Sequence, residues 1–447
     1  MRSATHRLEL CWARLAWAAG GPAAIALMMS ACGGGGAGGA GPSAAANAAS
    51  SPPPPTSPTP PASAASSPVP PSPPASSPVL SAKALLGEKI FHDAGLSGSG
   101  RMSCASCHDP AFFHGPPNSL PVQKGGRLNT EFGLRAAPSL RYLERLGAFS
   151  GTTNTPVADL RGGLMADGRA DNLAAQALLP WFNPREMDNG TPADLARKLR
   201  ATSYAAEFAR VFVPAAGADA PDDATLVAQA SQALQSFQLE DARFHPYDAK
   251  FDWVQQGRAQ FTAPEARGLA VFNDPKRGNC AACHPSTSAD GRPPVFTTFG
   301  YAALGVPRNT KIPANADAAA FDLGLCQSPR PELKDRQDSC GFFRIPTLRN
   351  TVQRPVFFHN GQFSNLETVL LFYQLRDADS AFFYPSVANR VQLYDDLPAA
   401  LRGNVNRDAP FSARPLTNEA EQADLLCFLR TLTDGYSAGS PTSAGCS

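Results

Sequence analysis

Cys104-Ala105-Ser106-Cys107-His108 and Cys280-Ala281-Ala282-Cys283-His284 are the stretches that decide how this 447-residue chain is read. Both are Cys-x-x-Cys-His, and the sequence around them repeats. Gly87, Ile90, Phe91 and Asp93 ahead of the first recur, with the same spacing among themselves, as Gly268, Val271, Phe272 and Asp274 ahead of the second. Pro138-Ser139-Leu140-Arg141 is echoed by Pro346-Thr347-Leu348-Arg349, and Asp167-Gly168-x-x-x-Asn172-Leu173 by Asn360-Gly361-x-x-x-Asn365-Leu366. Four shared blocks in one order argue for duplication of one unit.

In an exported protein this pentapeptide reads as a c-type haem attachment site. The two thiols add across the haem vinyl groups and the adjacent His reaches the iron. Zinc is the competing use of Cys-x-x-Cys, but the two pairs lie too far apart for a zinc ribbon and each carries its own His. Two covalently bound haem c groups are expected, on Cys104, Cys107 and His108 and on Cys280, Cys283 and His284. The fold is expected to be mainly α, with two cytochrome c-like haem domains over 80–246 and 247–440 and a tail at 441–447. Thr262-Ala263-Pro264-Glu265 has capping-box spacing, Thr191-Pro192 opens another helix, and Leu226–Leu239 and Ala420–Leu432 carry helical apolar spacing. Residues 279–343 read as irregular. Cys326 and Cys340 flank a polar loop and are expected to pair, while Cys427 is either a buried thiol or the partner of Cys446.

The first 31 residues read as a leader. Arg2, Arg7 and Arg14 face a single acid, Glu9, and an apolar run ends in Leu27-Met28-Met29-Ser30-Ala31-Cys32, which resembles a lipoprotein signal. Cleavage there would lipidate Cys32 and place the protein in the periplasm. Gly33 in place of an inner-membrane retention Asp favours the outer membrane. Residues 33–82 carry no charge and are dominated by Gly, Pro, Ala and Ser, so 32–79 reads as a disordered tether. Lys+Arg 39 against Asp+Glu 38 leaves no electrostatic footprint for nucleic acid. The membrane is expected to be reached through the lipid alone.

The sixth iron ligand decides between electron transfer and chemistry. No Met follows Met187, so the second domain has none to offer. Tyr373 stands seven residues beyond Leu366, where the first unit has Pro180 seven beyond Leu173. If the units superpose, Tyr373 can cap the second iron and nothing equivalent caps the first. A core aromatic on one stripe with Leu366, Val369 and Leu370 is the other reading of Tyr373. Glu186 and Gln176 lie near the open side as candidate proton shuttle and amide donor. His92 or His114 could instead close the first iron, and His359 is a reserve ligand for the second.

These residues resemble the bacterial dihaem cytochrome c peroxidase and MauG-like family over roughly 80–435. The likeness rests on Leu96-Ser-Gly-Ser-Gly-Arg-Met-Ser-Cys-Ala-Ser-Cys-His-Asp-Pro, Asp167-Gly-Arg, Asn183-Pro-Arg-Glu186-Met, Arg267-Gly-Leu-Ala-Val-Phe, Phe343-Arg-Ile-Pro-Thr-Leu-Arg-Asn, Phe357-Phe-His-Asn-Gly and Asn365-Leu-Glu. It implies an N-terminal haem that reacts with hydrogen peroxide and a C-terminal haem that relays electrons. Gln176 and Glu186 fall on its distal-pocket residues. Tyr373 falls where peroxidases carry Met and MauG-like members Tyr, and Pro180 matches the MauG-type pocket. The donor would be a small periplasmic cytochrome c or cupredoxin; a MauG-like member would oxidise a residue of a protein substrate. Three departures stand out: Ala166 replaces the Trp between the haems, Ala136 replaces an Asn that helps hold calcium, beside Arg354 and Val356, and Phe299–Cys340 resembles a subgroup insertion. A non-enzymatic dihaem electron carrier remains the alternative, with both irons capped.

Overall fold

The computed structural model describes residues 79–212, 219–440 and 445–447. The expected leader, nearly all of the tether and part of the tail lie outside them. The described residues form one compact unit. Its framework is helical: α1 Ala82–His92, α2 Cys104–Cys107, α3 Leu173–Phe182, α4 Pro192–Ala201, α5 Ala205–Val211, α6 Asp223–Glu240, α7 Lys250–Gln255, α8 Ala263–Asn273, α9 Leu366–Leu375 and α10 Glu419–Arg430. The six strands described pair in sequence as short antiparallel ladders, β1 Lys124–Gly125 with β2 Glu131–Phe132, β3 Tyr301–Ala302 with β4 Phe343–Arg344, and β5 Ser386–Val387 with β6 Arg390–Val391.

The sequence blocks act as local structure at the expected places. Thr262 caps α8 with Glu265 reaching back, which completes the capping box. Thr191 caps α4, whose first residue is Pro192. Asn172 accepts from the Ala175 N–H at 2.8 Å to open α3, and Asn365 accepts from the Thr368 N–H at 2.7 Å to open α9. The repeated Asn-Leu is thus a helix start in both halves.

Each half is built on one helix pair crossing at a glycine. A Cβ on Gly87 of α1 would run into the Ala233 carbonyl of α6 and stand 2.9 Å from Phe237 Cβ. On Gly268 of α8 it would run into the Asp424 carbonyl of α10 and stand 2.8 Å from Phe428 Cβ. Glycine is required because each backbone rests directly on its partner helix. Ile90, Phe91, Trp181, Leu234 and Phe237 fill one core, and Phe272, Phe296, Phe372 and Phe428 the other.

The halves are locked together. Arg141 pairs with Asp434 at 2.6 Å, and Asp434 also receives the Tyr142 hydroxyl and the Asn350 amide. Residues 299–340 form a further clamp. Tyr301, Leu325 and Leu333 bury themselves against Val157 and Leu160, Arg330 lies over Phe149 at 4.5 Å, and the Tyr301 hydroxyl donates to the Gly162 carbonyl at 2.6 Å. The Cys326–Cys340 disulfide closes this segment as expected, and the open choice at Cys427 resolves to a disulfide with Cys446.

Candidate active site

Cys104, Cys107, Cys280 and Cys283 are free thiols, whereas the other four described cysteines are paired. Burial raises all four thiol pKa values, that of Cys280 to about 12 and that of Cys107, with Glu186 adding to it, to about 11. Each motif histidine is anchored through Nδ1: His108 to the Pro138 carbonyl at 3.0 Å and His284 to the Phe296 carbonyl at 2.8 Å. A carbonyl only accepts, so Nδ1 carries the proton and Nε2 keeps its lone pair. Burial holds both imidazoles near a pKa of about 4, neutral and fit to ligate a metal. The acceptors stay in place because Ser139 Oγ donates to the Phe113 carbonyl at 2.7 Å and Thr347 Oγ1 to the Val295 carbonyl at 2.6 Å.

Cys280, Cys283, His284 and Tyr373 line a single cavity of about 370 Å³. Its other walls include Leu366, Val369, Phe411 and Leu425, so the space is mostly apolar, as a flat macrocycle requires. Tyr373 packs on Phe411 with ring centroids 5.3 Å apart, and burial pushes its phenol pKa up. The residues therefore fit a haem. Tyr373 packs against the core and also lines the cavity, so its packing alone does not choose between the two readings.

In the N-terminal half Glu186 follows α3. It approaches the backbone of β1 so closely that a Cβ on Gly125 would stand 2.7 Å from Glu186 Cα, while the Gly126 N–H donates to the Glu186 carbonyl at 2.7 Å. Glu186 Oε1 accepts from Asn183 Nδ2 at 2.8 Å. Burial pushes its carboxyl above the ordinary value, and the Asn183 bond and Arg169 oppose that push. Gln176 does not bond to Glu186. Its Nε2 points at Met165 Sδ, 3.8 Å away, a weak acceptor that leaves the amide available.

His92 is exposed at the end of α1. His114 is buried against Phe244 with ring centroids 4.0 Å apart, and its backbone lies beside the His108 ring. His359 stacks on Phe343 with centroids 3.6 Å apart and lines the C-terminal cavity. Ala166 is on the cavity wall, and its carbonyl accepts the Arg344 N–H at 2.8 Å. Sequence reasoning passed over Asn183 as the support of Glu186, and over Arg344 and Arg354 as cavity residues. The Asn-Pro-Arg-Glu spacing was the available signal for the first.

Two Cys-x-x-Cys-His motifs with neutral, carbonyl-anchored histidines on a helical framework define a haem protein of the cytochrome c class. Residues 81–260 match the family described as di-haem cytochrome c peroxidase. The chain is 34% identical to the methylamine utilization protein MauG of Paracoccus denitrificans, over 66% of this chain and 75% of that protein. It is 26% identical to the cytochrome c551 peroxidase of Nitrosomonas europaea, over 64% of this chain and 70% of that one. The diheme peroxidase BthA of Burkholderia thailandensis superposes with a TM-score of 0.70 at 37% identity, covering 79% of this chain and 86% of that one. The chain belongs to the dihaem cytochrome c peroxidase and MauG-like family, and it is an oxidoreductase.

Proposed function

We propose that this is a periplasmic, lipid-anchored dihaem peroxidase. It reduces hydrogen peroxide at an open N-terminal haem with electrons relayed through the C-terminal haem. The observation that carries this is the contrast between two matching helix positions. Pro180 in α3 and Tyr373 in α9 each stand seven residues beyond the leucine that opens an Asn-capped helix. Proline has no ligating side chain, whereas Tyr373 borders the cavity with a phenol oxygen. The paired glycine crossings at Gly87 and Gly268 support descent of both halves from one duplicated unit.

Haem c, when bound, supplies a redox-active iron at each site. Cys104, Cys107, Cys280 and Cys283 would carry it covalently, and His108, His284 and Tyr373 would supply ligands. Glu186 would take a proton from the bound peroxide and return it to the departing hydroxide, which leaves as water, a role suited to a carboxyl of raised pKa. Asn183 keeps that carboxyl oriented, and Gln176 offers its amide to the peroxide. Arg354 donates to the Ala137 carbonyl at 3.0 Å, which puts a positive charge next to Ala136, where the family resemblance expects a calcium-holding Asn. Calcium is therefore left out of this reading.

Tyr373 and the likeness to MauG favour a second reading, oxidation of a residue on a partner protein; a small cytochrome c or cupredoxin is the donor in the first. Among the described residues no helix is long and apolar enough to cross a membrane, and the lipid on Cys32 is the proposed anchor, at the outer membrane.

An EPR spectrum of the resting diferric protein, before and after one equivalent of peroxide, tests the proposal. One high-spin and one low-spin signal are expected, with the high-spin signal lost on mixing. Two low-spin signals indifferent to peroxide would leave an electron carrier instead.

A further inference from the structure

Five arginines line the cavity of the C-terminal half: Arg135, Arg141, Arg344, Arg349 and Arg354. Three have carboxylate partners. Arg135 meets Asp167 and Asp322, Arg141 meets Asp434, and Arg349 meets Asp252. Arg344 and Arg354 have none among the described residues. Arg344 Nε donates to the Met165 carbonyl at 3.1 Å and Arg354 Nη2 to the Ala137 carbonyl at 3.0 Å. A guanidinium is a planar fork of five N–H donors, so most of each fork is unused. Burial depresses both pKa values, that of Arg354 to about 10. Both side chains are half-buried and line the cavity, and a cation turned into a mostly apolar space without a counter-charge is costly, so such groups are ordinarily paired. The fold has neutralised the three neighbouring cations with its own carboxylates and left these two open toward the cavity.

We infer that Arg344 and Arg354 are the anion sites for the propionate carboxylates of the haem seated in this cavity. The inference rests on the reading that Cys280, Cys283 and His284 hold haem c, and is independent of the peroxidase chemistry. A haem brings an apolar macrocycle with a pair of carboxylates on one edge. The cavity offers an apolar wall at Leu366, Val369 and Phe411 together with two unpaired forks. Arg–carboxylate pairs are bidentate and charge-assisted, which fixes orientation as well as affinity. Arg354 bonds to the carbonyl of Ala137, the neighbour of Pro138 whose carbonyl anchors His108, so its charge also lies close to the N-terminal motif.

Two consequences can be measured. Fixed cations beside the haem disfavour the more positive, oxidised iron and so raise the potential. Propionates held by guanidinium stay ionised, so the potential does not vary with pH over the range in which a free carboxyl would titrate.

The experiment is a spectroelectrochemical titration of the full holoprotein at several pH values, for wild type, Arg344→Gln, Arg354→Gln and the matching Lys variants. Each Gln variant is expected to shift the C-terminal haem at least tenfold toward the oxidised form, a fall of about 59 mV or more for one electron. Its potential should also become pH-dependent. Lys, which keeps the charge but not the fork, should restore most of the potential. Arg390→Gln, which removes an exposed cation on β6, should move neither quantity.

Gln variants that carry both haems with unmoved, pH-independent potentials would overturn the proposal. If the Gln variants fail to mature, the wild type alone still decides. A C-terminal potential that falls by about 59 mV per pH unit between about pH 5 and 7 would show an unpaired propionate and overturn it; a flat profile supports it. A wild-type chain without covalent haem at Cys280 and Cys283 would overturn this inference together with the cofactor reading beneath it.

Discussion

Asn183 donates its Nδ2 amide to Oε1 of Glu186 over 2.8 Å, and both residues stand in the turn that ends α3. Burial pushes the Glu186 carboxyl up, and this bond, which favours the ionised form, pulls it back. Asn183→Ala should therefore raise the pKa further. Because the base must be ionised to accept a proton, activity is lost as pH falls through that pKa. The acidic limb of the pH–rate profile should move to higher pH by about one unit, the scale of a hydrogen bond to a charged group. An unmoved limb would mean that Asn183 does not act on the working base.

Glu186→Gln removes the proton acceptor and keeps the shape. Peroxide-dependent turnover should fall by about 10²–10⁴-fold, as expected for loss of a positioned general base, and the acidic limb should vanish. Stability should move the other way. A carboxyl whose folded pKa is raised contributes most below its unfolded pKa, and that contribution is lost as pH rises through the folded value. Above that window Glu186→Gln should melt no lower than wild type. A variant with full turnover would remove Glu186 from the chemistry.

Tyr373→Phe isolates the hydroxyl from the ring. The stack on Phe411 survives the change, so thermal stability should stay within about 1 kcal/mol of wild type. The low-spin EPR signal should change while the high-spin signal stays. An identical low-spin signal would return Tyr373 to the core.

What the sequence made legible is local. The Thr262 capping box and the Pro192 helix start rest on contacts within a few residues, so spacing alone reveals them, whereas the repeated Asn172 and Asn365 show in the sequence as a pattern and in the structure as caps. The repeated glycines were visible as a pattern, but their reason was not, because the carbonyls of Ala233 and Asp424 come from helices far along the chain. The same holds for Arg344, which sits in a quoted motif. That it lacks a carboxylate while Arg135 has two is a fact of tertiary placement. Cys427 was ambiguous because its pairing depends on where the chain end returns. Thr262 Oγ1 fixes that return by donating to the Cys446 carbonyl at 2.6 Å.

Gly268→Ala tests the helix crossing directly. The new methyl would overlap the Asp424 carbonyl, which is backbone and cannot swing away. Overpacking of this kind costs about 1–3 kcal/mol and sometimes more, and this site lies at the upper end. Gly87→Ala meets the Ala233 carbonyl in the same way and should cost a similar amount. An exposed glycine with open space around it, such as Gly257, is the control for conformational effects, although its positive φ carries a cost of its own. Melting points for Gly268→Ala and Gly87→Ala within a degree of wild type would mean that the crossings relax freely.

The disulfide between Cys326 and Cys340 closes a loop of sequence separation 14 inside the segment that clamps the two halves. A loop of that size limits the unfolded chain by about 3 kcal/mol on the chain-entropy account. The double variant Cys326→Ser with Cys340→Ser should lose stability on that scale. The loss should begin locally, because beyond Tyr301 only Leu325 and Leu333 of this segment belong to the buried cluster with Val157 and Leu160. Limited proteolysis should then cut between residues 313 and 340 before either haem half opens. Arg330 and Arg336 also tie the segment to the carbonyls of Gly168 and Thr155, at 2.6 and 2.7 Å, so partial retention of the clamp is expected rather than its release. First cleavage elsewhere, with the segment intact, would show that packing and these arginines hold the clamp without the covalent bond.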